Sequence, residues 1–199
     1  MQTFTTPAPI AAVLDVPAGR VRFIAADRAD TAVEVLPLDA SKSRDVKAAE
    51  KTSVEFADGV LRISAAAGSK VLGPSGSVEI TVQLPAGSAV EAKVASAELR
   101  GVGRLGDIAF EAAQSDIKID EAAHVRVTTQ AGDVAVGSLT GSAEISTQKG
   151  DITVATALSA SLDAGTTHGR VHNSLRNDGA TAVTIRATTA YGDITARGL

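Results

Sequence analysis

The chain contains no cysteine and no tryptophan. A disulfide framework, a thiolate zinc site and a cysteine nucleophile are therefore excluded. Aromatic rings are scarce, with only Phe4, Phe23, Phe56, Phe110 and Tyr191 in the sequence. A dominant charge is missing too: 19 basic and 23 acidic side chains over 199 residues leave a net charge of -4. Neither the polybasic run of a nucleic-acid binder nor an acidic tail is present. No apolar run approaches the roughly 18 residues that a membrane helix needs. The opening Met1-Gln2-Thr3-Phe4-Thr5-Thr6-Pro7 lacks the basic and continuous apolar regions of a secretory signal. These features predict a cytoplasmic protein with no nucleic-acid partner and no membrane insertion. Apolar residues make up 44% of the chain, so a core built from Val, Ile, Leu and Ala is within reach.

Internal repetition organises the second half. Gly132-Asp133-Val134-Ala135-Val136 aligns with Gly150-Asp151-Ile152-Thr153-Val154 and Gly192-Asp193-Ile194-Thr195-Ala196. The same frame fits Ala97-Glu98-Leu99, Ser115-Asp116-Ile117 and Gly169-Arg170-Val171. Steps between these anchors are 18, 17, 18, 19 and 23 residues. The longest step contains the polar, turn-forming stretch Ser174 to Ala180, which reads as a loop bulging from one coil.

Columns of the repeat have distinct characters. Two places after each anchor stand Leu99, Ile117, Val134, Ile152, Val171 and Ile194, all aliphatic. Five places before it stand Ala92, Phe110, Val127, Ile145, Ala164 and Ala187, and three places before it Val94, Ala112, Thr129, Thr147, Thr166 and Thr189. The last two sets share strand parity, so both are expected to face inward. The intervening outward column carries Glu91, Arg126, Glu144, Asp163 and Arg186; in stacked coils Arg126 would lie beside Glu144, and Asp163 beside Arg186.

A unit of two short strands is too short for a helical repeat, whose periods exceed about 30 residues. The sequence therefore predicts an all-β fold, a parallel β-solenoid (β-helix) with about six regular coils of roughly 18 residues. The alternative is an antiparallel β-sandwich of hairpins turning at Gly-Asp. Recurrence of similar residues in column after column favours the solenoid.

Before residue 90 the period is lost, while the local grammar continues. The segments Leu14–Phe23 and Val54–Ile63 place apolar residues at like offsets around glycine and read as irregular rungs. Ala32–Pro37 and Ser77–Pro85 read as strands, each closed by a proline that cannot donate to a ladder. Residues 41–52 read as a loop or one short helix, and 68–76 as a flexible loop. The organisation expected is one structural unit, with 1–89 an irregular β-rich cap and 90–199 the regular repeats.

Several constellations invite a chemical reading. Glu98, Asp116, Asp133, Asp151 and Asp193 form an acidic column, as in calcium-loaded β-rolls, but the glycine-rich nonapeptide is absent and Arg170 interrupts the column. An Asp after Gly also favours turns by bonding its own nearby backbone. His168 and His172 have the spacing of paired ligands on a helix, with His124 as a third imidazole. On a strand, however, residues four apart stand about 13 Å from each other. The Thr129, Thr147, Thr166 and Thr189 ladder shares parity with the core and is expected to bond backbone groups at the corner rather than face a ligand. Gly101-Val102-Gly103-Arg104-Leu105-Gly106 matches Gly-x-Gly-x-x-Gly but lacks the following helix of a nucleotide site. Sugar-active sites generally combine aromatic platforms with a carboxylate pair; only Tyr191 and Phe110 are candidates for the former. No catalytic, cofactor-binding or metal residue is assigned.

The opening Phe4-Thr5-Thr6-Pro7, the strand Val82-Gln83-Leu84-Pro85-Ala86-Gly87-Ser88 and the order of the Ala97-Glu98-Leu99, Ser115-Asp116-Ile117, Gly132-Asp133-Val134 and Gly150-Asp151-Ile152 steps resemble the bacterial "putative adhesin" family of β-strand-repeat domains. The resemblance implies a β-helical repeat without an established catalytic activity. The function expected is a non-enzymatic scaffold or adhesin-like interaction module without a cofactor, the alternative being a carbohydrate-binding or polysaccharide-active β-helix. The expected partner is a protein. A second copy of the chain is one option, because the last Gly-Asp-Ile strand ends near Leu199 with no capping helix and would leave an uncovered coil. Loop 174–182, the N-terminal segment or another chain is expected to shield it.

Overall fold

The computed structural model describes residues 1–65 and 76–199, so most of the loop expected over 68–76 lies outside the described residues. Its elements are β1 (Gln2–Thr5), β2 (Ala11–Ala26), β3 (Asp30–Pro37), α1 (Ser43–Glu50), β4 (Thr52–Ala57), β5 (Val60–Ala65), β6 (Val78–Pro85), β7 (Ala89–Ala131), β8 (Val134–Leu139), β9 (Ala143–Ser146), β10 (Ile152–Thr156), β11 (Ala160–His168), β12 (Val171–Ser174), β13 (Val183–Tyr191) and β14 (Ile194–Gly198). All the repeat strands pair in parallel and in register, which makes the molecule a β-solenoid and not a sandwich of hairpins.

The coils, counted along the chain, are 1 (11–26), 2 (60–65 with 78–85), 3 (89–102), 4 (107–120), 5 (125–139), 6 (143–156), 7 (160–174) and 8 (183–198). Six of them begin at or after Ala89. Their order in space differs from their order in sequence. Coil 1 lies between coil 2, through β5 and β6, and coil 3, through β7. At the other end β14 lies between β10 and β12, and β13 between β9 and β11. The stack therefore runs 2-1-3-4-5-6-8-7.

This order corrects two expectations. The C-terminal strand is not the uncovered one, since coil 8 has neighbours on both sides and coil 7 ends the rod. Nor is Ser174 to Ala180 a simple bulge: it carries the chain from the end coil back into the slot between coils 6 and 7, which accounts for the long 23-residue step.

A third correction concerns residues 54–63. They form the antiparallel hairpin β4–β5 and not a rung. The turn residues Asp58 and Gly59 both have positive φ, 52° and 76°, the backbone that a two-residue type I′ turn requires. Only β5 joins the coil, whose second side is β6. The segment 14–23, by contrast, is a true rung, with Gly19 at its corner (φ 146°). Within 41–52 the helical option is realised as α1, whose buried Asp45 accepts the Ser77 N–H at 3.0 Å. Strands β3 and β6 end at Pro37 and Pro85 as expected.

The inward columns make the core. Leu99, Ile117, Val134, Ile152 and Ile194 are each 2% exposed or less, as are Ala92, Phe110, Val127, Ile145 and Ala187. Removing such side chains from water supplies the main driving force at about 25 cal/mol per Å² of apolar surface. Small side chains suffice because each is sandwiched by its counterparts in the coils above and below.

The anchor glycines decide where the strand breaks. Gly132, Gly150 and Gly192 have φ of 122°, 146° and 148°. A Cβ on Gly150 would stand 2.1 Å from the Gly132 carbonyl oxygen, and one on Gly192 2.1 Å from that of Gly150. Two of the anchors that depart from glycine, Ala97 and Ser115, lie inside the unbroken 43-residue β7. There the chain bends while remaining extended, and Ser115 Oγ donates to the Ala97 carbonyl of the preceding coil at 2.6 Å.

Candidate functional site

The acidic column is a hydrogen-bond ladder. The Asp133 N–H donates to Asp116 Oδ1 at 3.1 Å, Asp151 N–H to Asp133 Oδ1 at 2.8 Å, and Asp193 N–H to Asp151 Oδ1 at 2.7 Å. Arg170 N–H donates to Asp193 Oδ1 at 2.8 Å. In sequence Arg170 interrupts the column; in space it terminates it, because coil 7 is outermost and needs no acceptor for a further coil. Its guanidinium lies 3.7 Å from Asp193. At the other end Glu98 pairs with Arg20 at 3.0 Å. That hydrogen bond, with the attraction of the Glu98 and Glu79 carboxylates, raises the Arg20 pKa above its ordinary value. The column is thus bounded by a cation at each end, and four of its carboxylates already serve as acceptors for backbone amides.

The histidines are not brought together. His124 lies just before coil 5 with Nδ1 3.0 Å from Ser142 Oγ. His168 ends β11 and stacks on Tyr191, ring centroids 4.7 Å apart, while His172 stands past the corner in β12. Coils 6 and 8 separate His124 from the other two. Among the described residues no group of three His, Asp or Glu side chains is placed to hold a metal ion.

The threonine ladder faces inward. Thr129, Thr147 and Thr189 are buried, and their hydroxyls donate to the carbonyls of Ala131, Lys149 and Gly150; that of Thr166 donates to Gly192. The corner carbonyls are thereby satisfied from inside the coil. Gly101 to Gly106 lies wholly within β7 and opens no helix.

A surface feature that column reading missed lies on the outward face of the first strands. A trough of about 570 Å³ crosses coils 1, 3, 4, 5, 6 and 8, which are consecutive in the stack. Its floor is Ala11, Val13, Ala89 and Ala109, and its walls include Glu91, Asp107, Arg126 and Arg186. A second depression of about 660 Å³, between Asp15, Lys93, Glu111 and Gln130, continues along the same strands. The trough exists because Ala11, Val13, Ala89 and Ala109 stop at Cβ or Cγ, while other members of the same two columns, such as Glu91, Asp107 and Arg126, carry larger charged side chains. The signal was present as alanine at 89 and 109 in columns otherwise polar.

The walls are electrostatically paired. Arg126 lies 3.3 Å from Glu144, Arg186 stands beside Glu144 in register, and Arg186 Nε lies 3.2 Å from Asp163. Both pairings expected from the column are present. Lys93 contacts Glu111 at 3.1 Å, and that hydrogen bond with the Glu111 charge raises the Lys93 pKa. All these groups are largely exposed, so each pair contributes little to stability.

An all-parallel stack of coils with aliphatic columns inside and charge ladders outside defines a β-solenoid repeat protein. Within that class the chain belongs to the Toastrack DUF4097 family, whose model matches residues 13–198. Among solved structures it is similar to a "putative cell adhesion protein" from Clostridium sporogenes, with 14% identity, a TM-score of 0.56 and coverage of 100% of this chain and 98% of that one. It is likewise similar to a "putative adhesin" from Bacteroides fragilis, with 14% identity, a TM-score of 0.57 and coverage of 98% and 95%. At such identities the likeness is one of fold. No curated protein matches the chain. Among the described residues no helix is long and apolar enough to cross a membrane.

Proposed function

We propose that this protein is a non-enzymatic interaction module whose solenoid face receives a protein partner. The observation that carries the reading is the trough across coils 1, 3 to 6 and 8: a small apolar floor, walls of both signs, and length along the rod suited to an extended segment. Apolar floor supplies burial and charged walls supply register and selectivity. The carboxylates of Asp116, Asp133, Asp151 and Asp193 are engaged by backbone amides, and the histidines are dispersed, so neither group is arranged as an acid–base pair.

The test is a pull-down from the native cell with the chain and its Ala109→Arg variant as baits. Ala109 is exposed on the floor, so the longer side chain fills the trough without entering the core. A protein retained by the first bait and lost with the second supports the reading. Equal capture by both baits, or turnover of a polysaccharide by the purified chain, overturns it in favour of another surface or of the polysaccharide-active alternative.

A further inference from the structure

One end of the rod is closed and the other is open. At the coil 2 end, β4 pairs antiparallel with β5, and β3 antiparallel with β6, so both edges of that coil are taken. Phe4 of β1 and Phe56 of β4 meet there with ring centroids 5.4 Å apart. At the coil 7 end, β11 pairs with β13 and β12 with β14, and no described strand lies on their other sides. The Ala160 N–H donates to the Arg176 carbonyl at 2.9 Å, so the returning loop covers only the beginning of β11.

The direction of the free groups follows from strand alternation. Ile194 N–H donates to the Arg170 carbonyl at 2.9 Å. Arg170 thus faces coil 8, and the backbone of Val171 faces off the end of the rod. The core is also left open. Val171 stands in the same inward column as Ile152 and Ile194, which are 0% and 1% exposed, yet it is itself 45% exposed.

We propose that this end joins a second copy of the chain, docked end to end about a two-fold axis through the Gly169 corner. The shape of this end selects its partner. Strands β11 and β12 offer two free edges that meet at a corner. An extended peptide pairs with one such edge, whereas another coil pairs with both. Rotation about the bisector of the corner lays β12 of one protomer antiparallel over β11 of the other, and the reverse, which is the self-complementary contact that a two-fold interface requires. The end also carries both signs of charge, Asp163 on β11 and Arg170 at the start of β12, so no single-sign surface is set against itself. Because a two-fold joint uses the coil 7 end of both protomers, the contact closes at the dimer.

Two experiments on the full chain decide the matter. In sedimentation equilibrium the chain is expected at twice its monomer mass, and Val171→Lys at monomer mass with a native circular dichroism spectrum. A chain that stays monomeric at millimolar concentration, a series of larger species, or a Val171→Lys dimer overturns the proposal. The second experiment uses the absence of native cysteine and remains decisive if Val171→Lys unfolds. His168→Cys, next to the axis, is expected to form an intermolecular disulfide on mild oxidation, whereas Thr3→Cys at the closed end is not. Cross-linking of Thr3→Cys without His168→Cys overturns the two-fold joint.

Discussion

The backbone N–H of Arg170 donates to the side chain of Asp193, 23 residues further along the chain, at 2.8 Å. Elsewhere in the ladder the acceptor carboxylate comes earlier in the sequence than the amide it receives. The reversal records the exchange of coils 7 and 8: the direction of the ladder in space is constant, and it is the chain that doubles back.

The ladder predicts a graded response at Asp151, whose Oδ1 accepts from Asp193 and whose own amide donates to Asp133. Asp151→Ala removes one charge-assisted acceptor and is expected to lower unfolding free energy by about 1–2 kcal/mol. Asp151→Asn keeps an acceptor oxygen and is expected to recover most of that loss. Urea denaturation monitored by circular dichroism measures both; equal losses would show that charge rather than hydrogen bonding matters.

Two glycines of similar appearance in sequence are expected to behave in opposite ways. Gly150→Ala imposes a positive φ on a side-chain residue and places Cβ 2.1 Å from the Gly132 carbonyl oxygen. The backbone strain alone costs about 1–3 kcal/mol, and the collision adds to it. Gly165 has nothing within 4 Å of its virtual Cβ. Its replacement by Ala is expected to change stability by less than about 0.5 kcal/mol. Thermal melts of the two variants side by side provide the check.

Asp39 should titrate below the ordinary carboxylate range. The Ser41 hydroxyl at 2.6 Å, Lys42 at 3.1 Å and the Ser41 amide at 3.0 Å all favour its charged form, which lowers its pKa to about 2. Since the folded value lies below the unfolded one, this contribution to stability is complete above about pH 4 and is lost as pH falls through about 2. Carboxyl NMR titration of Ser41→Ala is expected to show the Asp39 midpoint moving upward toward its ordinary value. A midpoint unmoved by the substitution would assign the shift to Lys42 and the backbone amide of residue 41.

The regular coils were legible in the sequence because every column repeats a physical role. Ile117, Val134, Ile152 and Ile194 are alike since each packs on the next, and the register that sets Arg126 beside Glu144 follows from aligning Gly132 with Gly150. The order of the last two coils was not legible. A stack of equivalent coils accepts either neighbour, and Ile152 pairs with Ile194 as readily as it would with Val171. The one clue lay in Arg170: a column that supplies an acceptor to each following coil can end there, and the residue without a carboxylate marks the end. The trough escaped notice for a related reason. It depends on several alanines from separate coils coming together, and each alone is unremarkable on a strand. At Asp58-Gly59 the turn chemistry was explicit, but the apolar offsets shared with Leu14–Phe23 pointed to a rung.

The same exchange occurs at both ends of the rod, where coil 1 and coil 8 each sit one place in from the outside. In a repeat stacked in chain order, thermal fraying begins at a terminus and loses one interface per coil. Here the last strand cannot peel away from β10 without also leaving β12, and the first long strand is held by β5 and β6 on one side and β7 on the other. Coils in the interior of the sequence bear the exposed positions instead, anchored by chain at both of their ends. Strands β2 and β14 are therefore each held on both sides, and limited proteolysis is expected to open coils that lie between them in the sequence before it frees either strand.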